Sequence, residues 1–266
     1  MSDSKSLHDR VARTVREIPR SGIRDFFEIV STREDVISLG IGEPDFVTPW
    51  HIREAATLAL DRGVTSYTSN MGLLSLRRGI AQYVEKKTGT AYRPEDEILI
   101  TVGVSEALDL AIRALVEPGD EVLYHEPAYV SYNPLITFAH GVPVAIETRK
   151  EEDFHITRAQ LEEKVTPATK ALLLNYPNNP TGAALSKEEV VEIAAFAVEH
   201  DLIVITDEIY DELTYDRDHF SMISIPGMRE RTIYLHGFSK AWAMTGFRIG
   251  FACAPAELTE AMMKIH

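Results

Sequence analysis

The sequence has one cysteine, Cys253, which excludes an intrachain disulfide. Its place in the apolar run Phe251-Ala-Cys-Ala reads as a small core residue rather than a nucleophile or ligand. No uninterrupted apolar run approaches the roughly 18 residues that a membrane-spanning helix needs. The first ten residues are polar and hold no apolar signal core, so a soluble, cytoplasmic protein with no membrane partner is expected. Positive charge is also scarce. Against 41 Asp+Glu stand 27 Lys+Arg, a net charge of −14 with no long basic run, which argues against nucleic acid and for small-molecule work. The nine histidines show no metal-ligand spacing, so His125 and His236 read as ordinary strand residues and no metal is expected. There is no internal repeat, low-complexity tract or linker.

What remains is a 266-residue chain, 45% hydrophobic, enough for one large core. Residues 1 to about 38 form a polar arm broken at Ile18-Pro19 and Ser21-Gly22, with a short helical pattern around Ile23 to Val30. Leu39-Gly-Ile-Gly-Glu-Pro-Asp-Phe46 is a fixed turn that lacks the GxGxxG dinucleotide spacing. Thr48 as cap and Pro49 in the first turn start a helix that stops near Gly63. A second runs from about Leu73 to Lys87. From Glu97 the pattern alternates. The apolar strand Ile98 to Val102 meets Gly103 and a helix whose N-terminus holds Val104 and Ser105, with free N–H groups suited to an anion. Glu121 to Tyr124 leads to the turn bearing Tyr129. Lys170 to Leu174 leads to the rigid loop Asn175 to Gly182, after which Ser186 and Glu189 form a capping box. Leu202 to Thr206 ends at Asp207-Glu-Ile-Tyr210. Repeated strand, loop, helix units with covered strands indicate a three-layer α/β fold with a mostly parallel sheet. Ligands of such sheets bind beyond the carboxyl ends of the strands. Gly103 to Ser105, Tyr129, Asn179, Asp207 and Lys240 all follow strand ends and could share one cleft.

The stretch His236 to Gly250 places Lys240 between two apolar strands, Thr232 to His236 and Phe247 to Ala254. A desolvated lysine has a depressed pKa and becomes an amine able to condense with a carbonyl; on this stretch alone a snorkelling surface lysine fits equally. Together with an anion-ready helix start, an aromatic plate and a strand-end carboxylate, it meets the needs of pyridoxal phosphate.

The motifs Gly40-Ile-Gly-Glu-Pro-Asp-Phe46, Tyr67-Thr68, Asn175 to Gly182, Asp207-Glu-Ile-Tyr210, Ser239-Lys240 and Met244-Thr-Gly-Phe-Arg-Ile-Gly250 resemble those of the class I/II aminotransferases, pyridoxal 5'-phosphate enzymes of the aspartate aminotransferase fold type. The resemblance covers essentially the whole chain. It implies a cofactor-binding large domain over residues 46–266, with residues 1–45 an N-terminal arm and the first part of an incomplete small domain. It further implies a Schiff base at Lys240, which would also shuttle the substrate Cα proton, and Asp207 on the pyridine nitrogen. Tyr210 and Asn179 would hold the phenolic oxygen, and Tyr129 would stack on the ring. Val104, Ser105, Ser239 and Arg248 would hold the phosphate. Tyr67 would reach the neighbouring subunit's cofactor in a homodimer, and Gly40 and Asn179 would contact the substrate. The implied reaction moves an amino group from an L-amino acid to a 2-oxo acid.

Two departures stand out. Many relatives carry a phosphate-binding serine where this chain has Gly237, and the chain stops within an amphipathic helix at Ala261 to His266, before the arginine that the family uses for the substrate carboxylate. A C–S β-lyase on the same fold, an inactive truncated remnant and the sensor half of a transcription regulator are the competing readings. The regulator would need a DNA-binding domain, and the N-terminal arm has no basic face.

Overall fold

The computed structural model describes residues 6–20 and 42–266; the helical pattern around Ile23 to Val30 and the candidate Gly40 lie outside them. In chain order the elements are α1 (Leu7–Arg10), α2 (Arg13–Glu17), α3 (Trp50–Asp61), α4 (Leu74–Thr88), β1 (Ile98–Thr101), α5 (Gly103–Leu115), β2 (Glu121–Glu126), α6 (Tyr132–Phe138), β3 (Val142–Glu147), α7 (Arg158–Lys164), β4 (Thr169–Leu174), α8 (Lys187–Glu199), β5 (Ile203–Asp207), β6 (Thr232–Gly237), β7 (Gly250–Cys253) and α9 (Ala256–Ile265).

The seven strands form one sheet in the order β1-β7-β6-β5-β4-β2-β3. Strands β6, β5, β4, β2 and β3 pair in parallel, and β7 runs antiparallel between β1 and β6. Alternation along each strand sends successive side chains to opposite faces. Ala171, Leu173, Ile205, Ile233 and Leu235 pack with Leu108 and Ile112 of α5. Leu172, Leu174 and Val204 pack with Ile193 and Phe196 of α8 on the other face. A third cluster joins Tyr234, Phe251 and Cys253 to Ile80 and Val84 of α4. Helices therefore cover both faces, which gives the expected three layers, and Cys253 is a buried core residue.

Several boundaries differ from the sequence reading. Thr48 does not cap α3. Pro49 occupies the cap position without a side-chain bond, and the Thr48 hydroxyl instead donates to the Ala243 carbonyl, tying this segment to the loop after Lys240. The strand expected from Phe247 starts only at Gly250, because Thr245–Phe247 form a 3₁₀ turn and Arg248 takes a left-handed φ of 54°. The Ser186 and Glu189 capping box forms as expected, with Ser186 N donating to Glu189 Oε2 at 2.7 Å.

Candidate active site

The parallel strands all end on one edge of the sheet. Because β7 runs the other way, its beginning lies on that same edge, and this delivers Arg248 to the loops that follow β1, β2, β4, β5 and β6. A cavity of about 510 Å³ opens there. Val104, Ser105 and Tyr129 line it together with Asn179, Asp207 and Tyr210. So do Ser239, Lys240 and Arg248. One sequence candidate does not line this cavity: Tyr67 is fully exposed at 107% of its reference area; Gly40 lies outside the described residues.

Asp207 forms the floor. Its Oδ2 accepts from the Tyr132 hydroxyl at 2.9 Å and its Oδ1 from Ile209 N at 3.3 Å. Burial pushes its carboxyl up to about 6 despite these donors. A carboxylate so placed favours a cationic partner, which would restore the charged form. Behind it, Asn175 Nδ2 donates to the Asp207 carbonyl at 2.8 Å, and Asn175 Oδ1 accepts from Asn179 N at 2.9 Å. Asn179 Nδ2 then donates to the Tyr210 hydroxyl at 3.3 Å. Burial, and next the Asp207 charge, push the Tyr210 phenol up to about 12. The Tyr129 ring meets Tyr132 edge-on at 5.7 Å.

Lys240 is half-buried, and its Nζ donates to the Gly42 carbonyl. Desolvation, joined by the Arg248 charge, lowers its pKa against the opposing pull of Glu43 and Asp207. The direction expected for a nucleophilic amine is thus built into the fold. Its Nζ also lies 5.7 Å from the centre of the Tyr210 ring.

The anion end is shaped by glycine. A Cβ on Gly103, whose φ is +74°, would fall 2.5 Å from Arg248 Nη2. One on Gly250 would fall 2.4 Å from the Gly103 carbonyl carbon, and one on Gly237 would sit 3.0 Å from Gly250 Cα. These three glycines let the first turn of α5 press against the β6–β7 pair, so that its N–H groups and the guanidinium share one pocket wall. At position 237 a Cβ would be tighter than an ordinary contact, and its neighbours would have to give by a few tenths of an ångström to admit the serine that the resemblance led one to expect. A phosphate suits this wall, and an amine with a buried acid opposite suits an aldehyde-bearing pyridine, so the residues present fit pyridoxal phosphate.

Sequence reasoning did not single out Tyr132 or Asn175. The signal for Tyr132 was its position three residues after Tyr129, one turn away on α6; for Asn175 it was an amide at the immediate end of a buried strand. His125 and His236 do lie on strands, yet each touches the site's supports. His125 Nε2 accepts from Asn175 N at 3.1 Å, and burial holds that imidazole down to about 4.

The family model for aminotransferase class I and II matches residues 34–266. A Bacillus subtilis (strain 168) protein named as an aminotransferase, YugH, is 54% identical over 252 residues, covering 95% of this chain and 65% of the relative. The aspartate aminotransferase of Pyrococcus abyssi (strain GE5 / Orsay) is 49% identical over 247 residues, covering 92% of this chain and 64% of the relative. The solved structure of aspartate aminotransferase from Thermus thermophilus with maleate superposes with a TM-score of 0.91 at 40% identity, over 96% of this chain and 67% of that one. The chain spans less than two thirds of the length of the two curated relatives. Parallel-sheet topology, cavity and matched sequence agree: the chain belongs to the class I and II aminotransferases, a pyridoxal-phosphate-dependent family.

Proposed function

We propose that this chain is the cofactor-binding part of an aminotransferase that moves an amino group from an L-amino acid to a 2-oxo acid. The observation that carries the reading is the convergence on one cavity of Asp207, at the end of β5, with Lys240 and Arg248 from the β6–β7 connection. When bound, pyridoxal phosphate supplies an aldehyde for an amine and a cationic ring that withdraws the electron pair left when a substrate Cα–H bond breaks. The protein's contribution is positional and electrostatic. Lys240, whose pKa burial lowers from the ordinary lysine value, gives up its proton more readily than an exposed lysine and would afterwards carry the substrate Cα proton as a base. Asp207 would hold the ring nitrogen's proton by charge. Tyr210 and Asn179 would donate to the phenolic oxygen, and Tyr129 would cover a ring face. Val104, Ser105, Ser239 and Arg248 would hold the phosphate, with Arg248 supplying a paired N–H fork.

The same reading takes residues 46–266 as the large domain, residues 1–45 as the arm and start of a small domain, Gly40 and Asn179 as substrate contacts, and the cytoplasm as the location. It includes a homodimer. Helix α3 has no buried residue; Trp50 and Leu60 on it are each 66% exposed, and Phe46 and Val47 just before it are exposed as well, apolar surface of the kind that association covers. Tyr67, exposed on the same segment, would then reach the neighbouring subunit's site. No observation favours the C–S β-lyase.

The test is an absorbance titration of the purified protein with pyridoxal phosphate, followed by amino-acid and 2-oxo-acid addition. A visible band that forms in the unaltered protein, disappears in Lys240→Ala and is exchanged by amino acids supports the proposal. Absence of a Lys240-dependent band overturns it.

A further inference from the structure

Beneath the cavity, and outside its lining, lies a buried ion network that the proposed chemistry does not use. His236 Nε2 and Asp211 Oδ1 are 2.8 Å apart, and the two residues are 0% and 4% exposed. Gly237 N donates to His236 Nδ1 at 2.8 Å. An Nδ1 that accepts a backbone N–H carries no proton, so the ring proton sits on Nε2 and is donated to Asp211. Lys87 Nζ, from α4, lies 2.7 Å from Asp211 Oδ2 and 2.7 Å from Glu212 Oε1. The Asp211 contact is a charge pair outside hydrogen-bond geometry, since that oxygen has no hydrogen-bond donor. Tyr83 donates to Glu212 Oε1 at 2.7 Å. The imidazole packs beside Tyr234 and Phe251, at 5.8 Å and 5.5 Å with interplanar angles of 17° and 29°, and those two rings are themselves 6.4 Å apart.

The positions of the partners give the network its meaning. Asp211 directly follows Tyr210, and His236 stands four residues before Lys240. Other links between these two segments are the parallel pairing of Asp207 with Leu235 and the bond from Glu208 N to the Leu235 carbonyl at 3.0 Å, both at the strand ends, and the approach of Lys240 Nζ to within 5.7 Å of the Tyr210 ring centre. Beyond the two strand-end links β5 has ended at Asp207, while His236 and Gly237 stay in the sheet paired with β7, and the His236–Asp211 bond continues the connection by side chain. Burying an acid and an imidazole is unfavourable unless the geometry is held closely, and a pair so held fixes one register.

We propose that Lys87, Asp211 and His236 form a positioning clamp that fixes the Lys240 segment against the Tyr210 turn. The roles it serves rest on the proposed function, but the clamp itself concerns the protein alone. Asp211 is held ionised below the usual carboxylate range although burial opposes this, because the His236 bond and the Lys87 charge outweigh it. Tyr83, Tyr234, Glu208, Glu212 and His219 are other titratable groups around it.

Two substitutions separate the arms of the imidazole. His236→Asn keeps an acceptor near the Nδ1 position and loses the donor to Asp211; His236→Gln keeps a donor near Nε2 and loses the acceptor for Gly237. Hydrogen exchange is read on the cofactor-free protein over residues 209–213 and 237–241, with α8 as internal reference, and the release rate of bound pyridoxal phosphate is measured separately. His236→Asn is expected to speed exchange in both segments and cofactor release by about tenfold, the scale on which outer-shell hydrogen bonds act at metal sites. His236→Gln should leave residues 209–213 close to the unaltered protein. Lys87→Gln, at a half-exposed position, should fold and show a smaller change in the same direction. Equal behaviour of the two His236 variants overturns the clamp. So does unchanged exchange in both segments in Lys87→Gln, which decides the matter if the buried variants do not fold. A missing Lys240-dependent band in the unaltered protein would count against the function instead, and the exchange data stand apart from it.

Discussion

The Tyr132 hydroxyl donates to Asp207 Oδ2 at 2.9 Å, both groups being buried. The bond favours the charged carboxylate, against burial, which pushes Asp207 up to about 6. Tyr132→Phe removes the donor without removing the ring. The Asp207 carboxyl should then titrate above 6 in the cofactor-free protein, measured by carbon-13 NMR of the carboxyl, and pyridoxal phosphate should bind more weakly.

Asp207 also makes stability depend on pH. Its carboxyl is raised from the ordinary aspartate range to about 6. Within that window the folded chain keeps a proton that the unfolded chain has lost, so this group's contribution falls as pH rises and levels off above 6. A rise of about two pH units corresponds to ~3 kcal/mol at most. Asp207→Asn should therefore stabilise the cofactor-free protein at pH 8 relative to the unaltered chain by on the order of 1–3 kcal/mol, with much less difference near pH 4. Urea denaturation at the two pH values measures it.

Gly237→Ser would restore the serine common in the family. Here a Cβ meets Gly250 Cα and the Ile249 carbonyl at 3.0 Å and Val104 Cγ2 at 3.1 Å. The expected outcome is a loss of about 1–3 kcal/mol of stability from overpacking, seen as a lower Tm, with no gain in phosphate affinity.

Arg248→Lys keeps the positive charge and the left-handed backbone position, whose φ is 54°, but loses the planar fork. Affinity of the cofactor-free protein for pyridoxal phosphate should fall by about tenfold, as expected when paired charge-assisted bonds become a single point contact. Calorimetric titration checks it. A fall in Tm of similar size for Arg248→Lys and Arg248→Ala, with unchanged affinity, would assign the arginine to folding alone.

Much of the fold was legible because its signals are local. Apolar runs such as Leu172 to Leu174, followed by Asn175, and Ile203 to Ile205, followed by Thr206 and Asp207, mark covered strands and the loops after them. The Ser186 and Glu189 pair marked a helix start that forms. Thr48 misled because the same residue type serves as cap or as long-range donor, and its partner, the Ala243 carbonyl, lies 195 residues away. The start of β7 misled because Thr245–Phe247 form a 3₁₀ turn and Arg248 takes a left-handed φ of 54°, neither of which hydrophobic periodicity records.

The sequence by itself determined the chemistry on offer: an amine at Lys240, an acid at Asp207, a guanidinium at Arg248, and the strand ends near which they lie. Tertiary structure alone decided their energetics. Burial raised Asp207 and lowered Lys240, Tyr132 and Asn175 entered as supports, and the antiparallel course of β7 brought Arg248 against Gly103. Residue type is fixed by the chain, but desolvation, a missing Cβ's clearance and a hydrogen bond across distant segments exist only once those segments are packed together.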